Sequence, residues 1–408
     1  MKTKRLRIIL IAGIAALTLA ALAVLLLRDM LGTNGPQALP AMAPVHEPEP
    51  ETRPAPEPEP PSLVRLMAVG DNLIHNTIYN QARARAGGGG YDFRFAYDGV
   101  RDFLAQADLS VINQETIVAG AIAPPSSFPM FNSPTELGDE VYNLGFRAVS
   151  LSNNHMLDKG TRGVTASLDY WDGKQGVVTS GAYRGEDDFK LARTLTVNDI
   201  TFGFAGATFS FNGLQLPAGS GLILPLLAEE DRLRRAVEIA REAADVVVVS
   251  LHWGMEYSHD ASEAQRRLAR RLAEWGADII LGTHPHVLQG MEWLEKPDGG
   301  KALVAYSLGN FISAQDRAPR VIGGLLDISV EKDHESGKIK LLSPKLRPVI
   351  TQYGPGFSNV HLLLWKDYTP ELAQRHGVRQ RDGGFSKSYI EGLLKRVIPD
   401  EFLYLGHE

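Results

Sequence analysis

The stretch Ile279-Ile280-Leu281-Gly282-Thr283-His284-Pro285-His286 joins an apolar run to two closely spaced histidines. The apolar half is typical of a short buried strand, and the half that begins with glycine is typical of the loop after it. His284 and His286 are one residue apart, and Pro285 between them restricts the backbone that carries both imidazoles. A single His-x-His pair is weak evidence for a metal site. It gains weight only if other strands end in matching ligands.

Four other apolar runs also end in residues that can bind a metal. Their ends read Gly70-Asp71, Asn113-Gln114-Glu115, Asn153-Asn154-His155 and His252-Trp253-Gly254. Ligands of open α/β sheets bind outside the carboxyl ends of the strands, where such side chains come together. One such histidine alone is more often structural, but a group of them predicts a metal or catalytic cluster. Five of the 11 histidines lie at or just after the five strand ends: His75, His155, His252, His284 and His286.

The pattern of strands and helices indicates the fold class. Apolar strands alternate with amphipathic stretches of helical period, such as residues 229–244 and 262–275, and this alternation predicts α/β architecture. Strand patterns at residues 302–306, 323–330 and 339–349 then follow one another without a helix between them. Mixed sheets are therefore expected rather than wholly parallel ones.

Composition excludes several classes of function. The chain has 408 residues, 44% hydrophobic and 22% charged, which is ordinary for a globular protein. The net charge of −6 and the lack of a long basic tract argue against a nucleic-acid partner. Because there is no cysteine, disulfides, thiolate ligands and cysteine nucleophiles are excluded. A metal site would have to use His, Asp, Glu and Asn.

The N-terminal region is expected to anchor the protein in the cell membrane. Basic residues in positions 2–7 precede an uncharged apolar run, Ile8–Leu27, which is long enough to cross a bilayer once. The basic flank predicts a cytoplasmic N-terminus and an extracytoplasmic globular domain. A cleaved signal peptide is the alternative, although its apolar region is usually shorter, about 7–15 residues. The Ala-x-Ala sequence at residues 41–43 also lies far downstream of the run.

The sequence predicts that the chain is divided into four segments. Residues 1–31 form the cytoplasmic tip and anchor, and residues 32–62, rich in Pro and Glu, form an extended linker. Residues 63–350 form the main domain. Residues 351–408 form a C-terminal extension in which we recognise no chemistry.

The strand-end motifs resemble those of one protein family. The order Gly-Asp, Asn-x-Glu, Asn-Asn-His, His-Trp-Gly and Gly-x-His-Pro-His, followed by Tyr-Ser-Leu-Gly-Asn-Phe at residues 306–311, is similar to that of the CapA, or PgsA-type, family. Those proteins are tied to synthesis of the poly-γ-glutamate capsule. The resemblance covers residues 63–350. The family is similar in turn to calcineurin-like metallophosphatases, which implies a four-layer sandwich of two mixed β-sheets flanked by helices.

The resemblance also implies roles for individual residues around two divalent metal ions, which the ligand types suggest are Mn, Zn or Fe. Asp71 and His286 would bind the first metal, and Glu115 would bridge the two. Asn154, His252 and His284 would bind the second metal. His155 would be the general acid that protonates the leaving group, or a donor to the transition state.

The sequence departs from the metallophosphatase pattern at several positions. The histidine after Asp71 is His75, four positions along instead of two, and Glu115 stands where an Asp is usual. Met156 replaces the acid that normally follows the catalytic histidine, so Asp158 either orients His155 or caps the next helix. Further residues that could contact metal or substrate are His75, Asn153, Asp158 and Asn310.

Three functions remain open from the sequence. The first is a metal-dependent hydrolase of phosphoester or γ-glutamyl amide bonds that makes or processes an anionic cell-surface polymer. The second is a non-catalytic, polymer-binding subunit that docks to membrane polymer-synthase subunits. The third, a metal-dependent phosphodiesterase unrelated to capsule, rests on analogy of fold alone.

Overall fold

The computed structural model of the protein describes residues 60–406. The predicted anchor at Ile8–Leu27 and nearly all of the predicted linker lie outside these residues. Within residues 60–406, no helix has both the length and the apolar character needed to span a membrane.

The described chain contains strands β1–β14 and helices α1–α9. The strands are β1 (Ser62–Asn72), β2 (Leu109–Asn113), β3 (Phe146–Ser150), β4 (Val178–Ser180), β5 (Arg193–Val197), β6 (Ile200–Thr208), β7 (Val246–His252), β8 (Ile279–Thr283), β9 (Leu288–Glu295), β10 (Lys301–Leu308), β11 (Asn310–Ile312), β12 (Ile322–Lys332), β13 (Ile339–Gly354) and β14 (Ser358–Leu364). The helices are α1 (Asn76–Arg85), α2 (Arg94–Leu104), α3 (Thr135–Asn143), α4 (Gly160–Asp172), α5 (Glu186–Phe189), α6 (Glu230–Ala243), α7 (Glu263–Glu274), α8 (Pro370–Arg375) and α9 (Lys387–Val397). Short 3₁₀ helices lie at Ala318–Val321, Pro355–Phe357, Trp365–Asp367 and Gly377–Gln380.

These strands form two mixed sheets. The first has the order β14-β13-β12-β1-β2-β3-β4, with β11 also pairing with β1. The second has the order β5-β6-β7-β8-β10-β9. The central strands run parallel, β1 to β4 in the first sheet and β6, β7, β8 and β10 in the second, and the strands added at the edges, β9 among them, are antiparallel. The prediction of an α/β fold with two mixed sheets and flanking helices is confirmed.

Strand β7 shows why the second sheet is buried on both faces. Val246 and Val248 join the hydrophobic cluster that contains the core of the first sheet, whereas Val247 and Val249 join a cluster with helices α6 and α7. Successive side chains of a strand point to opposite faces, so a run of four valines supplies both clusters. One face of this sheet therefore packs toward the first sheet and the other against helices.

The C-terminal segment is part of the same compact unit. Strand β13 runs to Gly354, past the predicted domain boundary at residue 350, and pairs with β14 in the first sheet. Leu403 forms a bridge to Leu346 of β13, and Phe402 is buried. The sequence did not reveal β14, because its alternation of polar and apolar residues covers only seven positions.

The register of the strands brings the predicted ligands to one edge. Asp71 at the end of β1 is opposite Asn113 of β2 and Asn310 of β11, and His252 of β7 is opposite Thr283 of β8. These residues lie at the carboxyl ends of parallel strands in the two sheets. This edge holds the candidate site.

Candidate metal centre

Asp71, Glu115 and His286 form a buried group at this edge, with one ligand atom from each lying within 4.8 Å of the others. The His286 Nδ1 atom is 3.3 Å from Asp71 Oδ2, and its Nε2 atom is 3.9 Å from Glu115 Oε1. Two carboxylates and an imidazole are ligands that divalent transition metals accept. The structure thus brings together the residues predicted for the first metal and for the bridge.

His252 extends the group toward the residues predicted for the second metal. Its Nε2 atom lies 3.0 Å from Asn154 Oδ1 and 3.6 Å from Glu115 Oε1. On the other side of the ring, Thr283 donates its hydroxyl proton to the Leu251 carbonyl and so accepts a hydrogen bond from His252 Nδ1–H. This assignment leaves Nε2 with a lone pair, directed at two oxygen atoms.

The orientation of Asn154 is set by a neighbouring amide. Its Nδ2 group donates to Asn212 Oδ1 at 3.1 Å, which leaves Asn154 Oδ1 directed toward His252. When the Glu115 carboxyl is ionised, three acceptor atoms, from His252, Asn154 and Glu115, therefore converge. Such a set is repulsive by itself and becomes favourable when a cation binds at its centre.

Glu115 gives the clearest indication of a cation. Its carboxyl group is fully buried, and neither oxygen has a hydrogen-bond partner within the described residues. Burial raises the pKa of Glu115 well above its usual value, and the nearby Asp71 carboxylate adds to the effect. Buried carboxylates are normally hydrogen-bonded or bound to metal, so this residue fits a bridging ligand.

His286 is held in place through its other nitrogen. The Nδ1–H group donates to Asn310 Oδ1 at 3.0 Å. Asn310 Nδ2 donates to the His286 carbonyl, to Gln315 Oε1 and to the Arg320 carbonyl, which fixes the orientation of its amide. Burial alone would lower the pKa of His286, but the Glu115 and Asp71 carboxyls outweigh it and raise the pKa to about 9. Asn310, predicted as a possible contact to metal or substrate, thus lies behind His286, which is a predicted ligand.

His284 faces the same centre from the strained loop after β8. Its Nδ1 atom is buried without a hydrogen-bond partner in the described chain, and burial lowers its pKa to about 4. Its backbone N–H donates to Asp71 Oδ2, and its ring packs 4.3 Å from that of Phe209. His284 and His286 have φ angles of 97° and 58°, which non-glycine residues rarely adopt. Backbone strain of this kind is concentrated at functional sites.

His155 lies beside this group with a fixed ring. Its Nδ1–H donates to Asp158 Oδ2 at 2.7 Å, and the same oxygen accepts from the backbone N–H of Phe131. Helix α4 begins after Lys159 without a side-chain cap, so Asp158 orients His155 and does not cap the helix. The His155 side chain keeps 8% of its surface exposed, and within the described residues its Nε2 makes no hydrogen bond.

His75 and Asn153 are close to the centre but have other partners. His75 Nδ1 accepts from the Ala314 N–H, and its ring meets the edge of Phe131. Burial lowers the pKa of His75 to about 4. Asn153 donates to the Gln114 carbonyl and accepts from the His155 N–H, so it shapes the two loops that carry Glu115 and His155.

Several residues of the site were not predicted from the sequence. Thr283 and Asn113 occur inside the motifs, and their contacts to His252 and Asp71 could have been suspected from that position. Phe209 and Asn212 follow β6, whose end carries no metal-binding residue. No signal in the sequence pointed to that loop.

Comparison with known proteins places the chain in a family. A family model described as bacterial capsule synthesis protein PGA_cap matches residues 65–315. The chain is 32% identical over 182 residues to the PGA biosynthesis protein CapA of Bacillus subtilis (strain 168), covering 42% of this chain and 44% of that protein. It is also 32% identical over 188 residues to the capsule biosynthesis protein CapA of Bacillus anthracis, covering 43% and 42%. The alignments thus span less than half of either relative.

A similar structure has also been solved. A protein described as a novel phosphatase from Mycoplasma pneumoniae aligns with a TM-score of 0.41 and 12% identity, over 70% of this chain and 94% of that one. A TM-score this low carries no conclusion about activity. The sequence matches confirm the resemblance inferred from the strand-end motifs. Because the family model matches more than half of the 408 residues, the protein belongs to the PGA_cap family of bacterial capsule synthesis proteins.

Proposed function

We propose that this protein is a metal-dependent hydrolase that acts on an anionic cell-surface polymer, poly-γ-glutamate, during capsule synthesis. The observation that carries the hydrolase part is the buried Glu115 carboxyl, which has no hydrogen-bond partner among residues 60–406 and lies near His252 and His286. The polymer part is supported by the relatives, which are described as PGA and capsule biosynthesis proteins.

The proposed centre divides its ligands between two divalent ions, with Mn, Zn and Fe as the candidates. Asp71 and His286 would hold the first ion, and Asn154, His252 and His284 would hold the second. Glu115 would be a ligand of both. When bound, such ions would supply Lewis acidity that polarises the bond to be cleaved and makes water a stronger nucleophile. The protein contributes by fixing the tautomers, through Thr283 for His252 and through Asn310 for His286.

His155 provides the proton in this proposal. Asp158 accepts the Nδ1–H bond and sets the ring orientation, so Nε2 is the atom that exchanges a proton with the leaving group. The Phe131 ring lies 4.7 Å from the His155 ring in an edge-to-face arrangement and restricts access of water on that side. The bond cleaved is a phosphoester or a γ-glutamyl amide.

The location of the reaction is part of the proposal. The apolar run Ile8–Leu27 anchors the chain in the cell membrane, with the N-terminus in the cytoplasm and the globular domain outside. This position gives the centre access to polymer that leaves the cell, and to membrane polymer-synthase subunits as partners.

Metal analysis of the purified full chain tests the centre. After incubation with Mn, Zn or Fe and removal of free ions, we expect about two ions per wild-type chain, as in two-metal hydrolases. Glu115→Gln should lose most of the metal, because the bridging charge is gone. Glu391→Gln, which changes an exposed partner of Lys395, is the control and should bind as the wild type does. A wild-type chain without metal would refute the proposal.

The variant His155→Ala separates an enzyme from a non-catalytic subunit. In an enzyme, hydrolysis of phosphoesters or γ-glutamyl peptides should fall by about 10²–10⁴-fold while the metal content stays unchanged. A polymer-binding subunit would support normal polymer production in cells with this substitution, and that result would favour the alternative.

A further inference from the structure

A cavity of about 660 Å³ opens next to the metal centre, between the loop after β11 and the C-terminal segment. Its walls include Tyr257 and Val287 on the side of the centre, and Arg317 and Arg320 from the loop. Phe385, in the segment before α9, closes the far side. All of these residues except Tyr257 and Val287 lie beyond residues 65–315, the part that the family model matches.

The guanidinium of Arg320 is the notable charge in this cavity. Its Cζ atom lies 3.5 Å from the centre of the Tyr257 ring, a cation–π contact that holds the side chain over the aromatic face. The Tyr257 ring in turn lies 6.2 Å from the ring of His286. Arg320 is half-buried, and none of the ion pairs within residues 60–406 involves it. A positioned cation that has no carboxylate partner in the described part of the chain is suited to an anionic ligand.

The acidic residue in the cavity wall, Asp382, already has partners. The Asp382 carboxylate accepts a hydrogen bond from the Ala318 N–H at 2.6 Å and pairs with Arg317 at 3.4 Å. Burial, followed by the charge of the nearby Glu256 carboxylate, raises the pKa of the Tyr257 phenol. Asp382 is thus compensated by Arg317 and by the Ala318 N–H, so Arg320 stays available for a ligand.

We propose that this cavity is a substrate subsite in which Arg320 binds an anionic group, a carboxylate or a phosphate, of a polymer unit next to the bond being cleaved. The inference rests on the proposed function, which places the reacting bond beside His286. It assigns a role to the C-terminal segment, since Asp382 holds the Arg320 loop and Phe385 forms a wall. The substrate is then a chain with repeated charges, bound over more than one unit.

Equilibrium binding to the full chain tests the subsite without requiring turnover. The probes are a fluorescein-labelled γ-linked glutamate decamer and an inorganic polyphosphate of similar charge, each measured by anisotropy with and without chelator. Arg320→Gln keeps most of the side-chain length and removes the charge. Loss of one charged hydrogen bond should weaken binding of the preferred probe about tenfold or more at low salt. The matched control is Arg381→Gln, an exposed arginine that pairs with Asp316 outside the cavity and should bind as the wild type does.

The outcomes separate this inference from the proposed function. Weaker binding of the glutamate decamer by Arg320→Gln supports a carboxylate subsite, and weaker binding of polyphosphate supports a phosphate subsite. The subsite is overturned if Arg320→Gln binds both probes with the affinity of the wild type. It is also overturned if Arg381→Gln loses as much affinity as Arg320→Gln does. The wild type could bind no metal while Arg320→Gln still binds the decamer more weakly than the wild type does. This result would refute the proposed hydrolase but support the subsite.

Discussion

At the scale of single residues, Asn310 illustrates how a site depends on groups behind the ligands. Its Oδ1 atom accepts from His286 Nδ1–H, while its Nδ2 group is occupied by three acceptors, two of them backbone carbonyls. The amide therefore cannot rotate without losing several hydrogen bonds. Its effect is to keep the second nitrogen of His286 available for a metal.

Asn310→Ala should lower the metal affinity of the full chain about 10–100-fold, because His286 loses the acceptor that sets its tautomer and orientation. Competition with a chelator of known affinity measures the change. Asn143→Ala, at an exposed asparagine near the end of α3, is the control for loss of an amide elsewhere. Equal affinities in Asn310→Ala and wild type would show that the ring is held by other contacts.

At the scale of elements, the site depends on how closely β8 approaches β10. A side-chain carbon built at Gly282 would lie 2.0 Å from the Tyr306 carbonyl oxygen and 2.6 Å from Trp253 Nε1. Those two atoms also form a hydrogen bond of 2.9 Å with each other. Only glycine allows this packing, and the loop that carries His284 and His286 begins two residues later, after Thr283.

Gly282→Ala should destabilise the fold by about 1–3 kcal/mol or more, because the added methyl forces β8 away from β10. It should also lower metal binding through displacement of the histidine loop. Gly290→Ala, in β9 of the same sheet, is the matched control, since its nearest neighbour atom is 3.4 Å away. Urea unfolding of both variants gives the comparison. Similar midpoints for the two would contradict the prediction.

At the scale of the whole molecule, the C-terminal segment is tied to the first sheet through His376. Its Nε2–H donates to the Thr351 carbonyl of β13 at 2.8 Å, and its Nδ1 accepts from the Val378 N–H at 2.9 Å. One ring nitrogen can donate a hydrogen bond while the other accepts one only when the ring is neutral. Burial lowers the pKa of His376 to about 4, below its value of 6.5 in an unfolded chain.

Stability should therefore fall as the pH falls from about 6.5 toward 4. In that range the unfolded chain binds a proton at His376 that the folded chain does not, so protonation favours unfolding by up to about 3 kcal/mol. Above pH 6.5 the contribution is fully present. Denaturant unfolding at several pH values, with saturating metal throughout, should show a shallower dependence in His376→Gln. His334→Gln, at an exposed histidine, should keep the wild-type slope.

The sequence alone determined the α/β class, the family and the five strand ends that carry the candidate ligands. Each of these is written in local patterns, apolar runs that are followed by His, Asp, Asn or Glu. It could not determine what each side chain contacts. The pairing of Asp71 with Asn113 and Asn310 depends on strand register, and Asp158 could be assigned to His155 only once the loop was placed. The convergence of Glu115, Asn154 and His252, and the cavity around Arg320, join residues far apart in the chain. Such contacts arise from the packing of two sheets and a C-terminal segment, which leaves no periodic trace in the sequence.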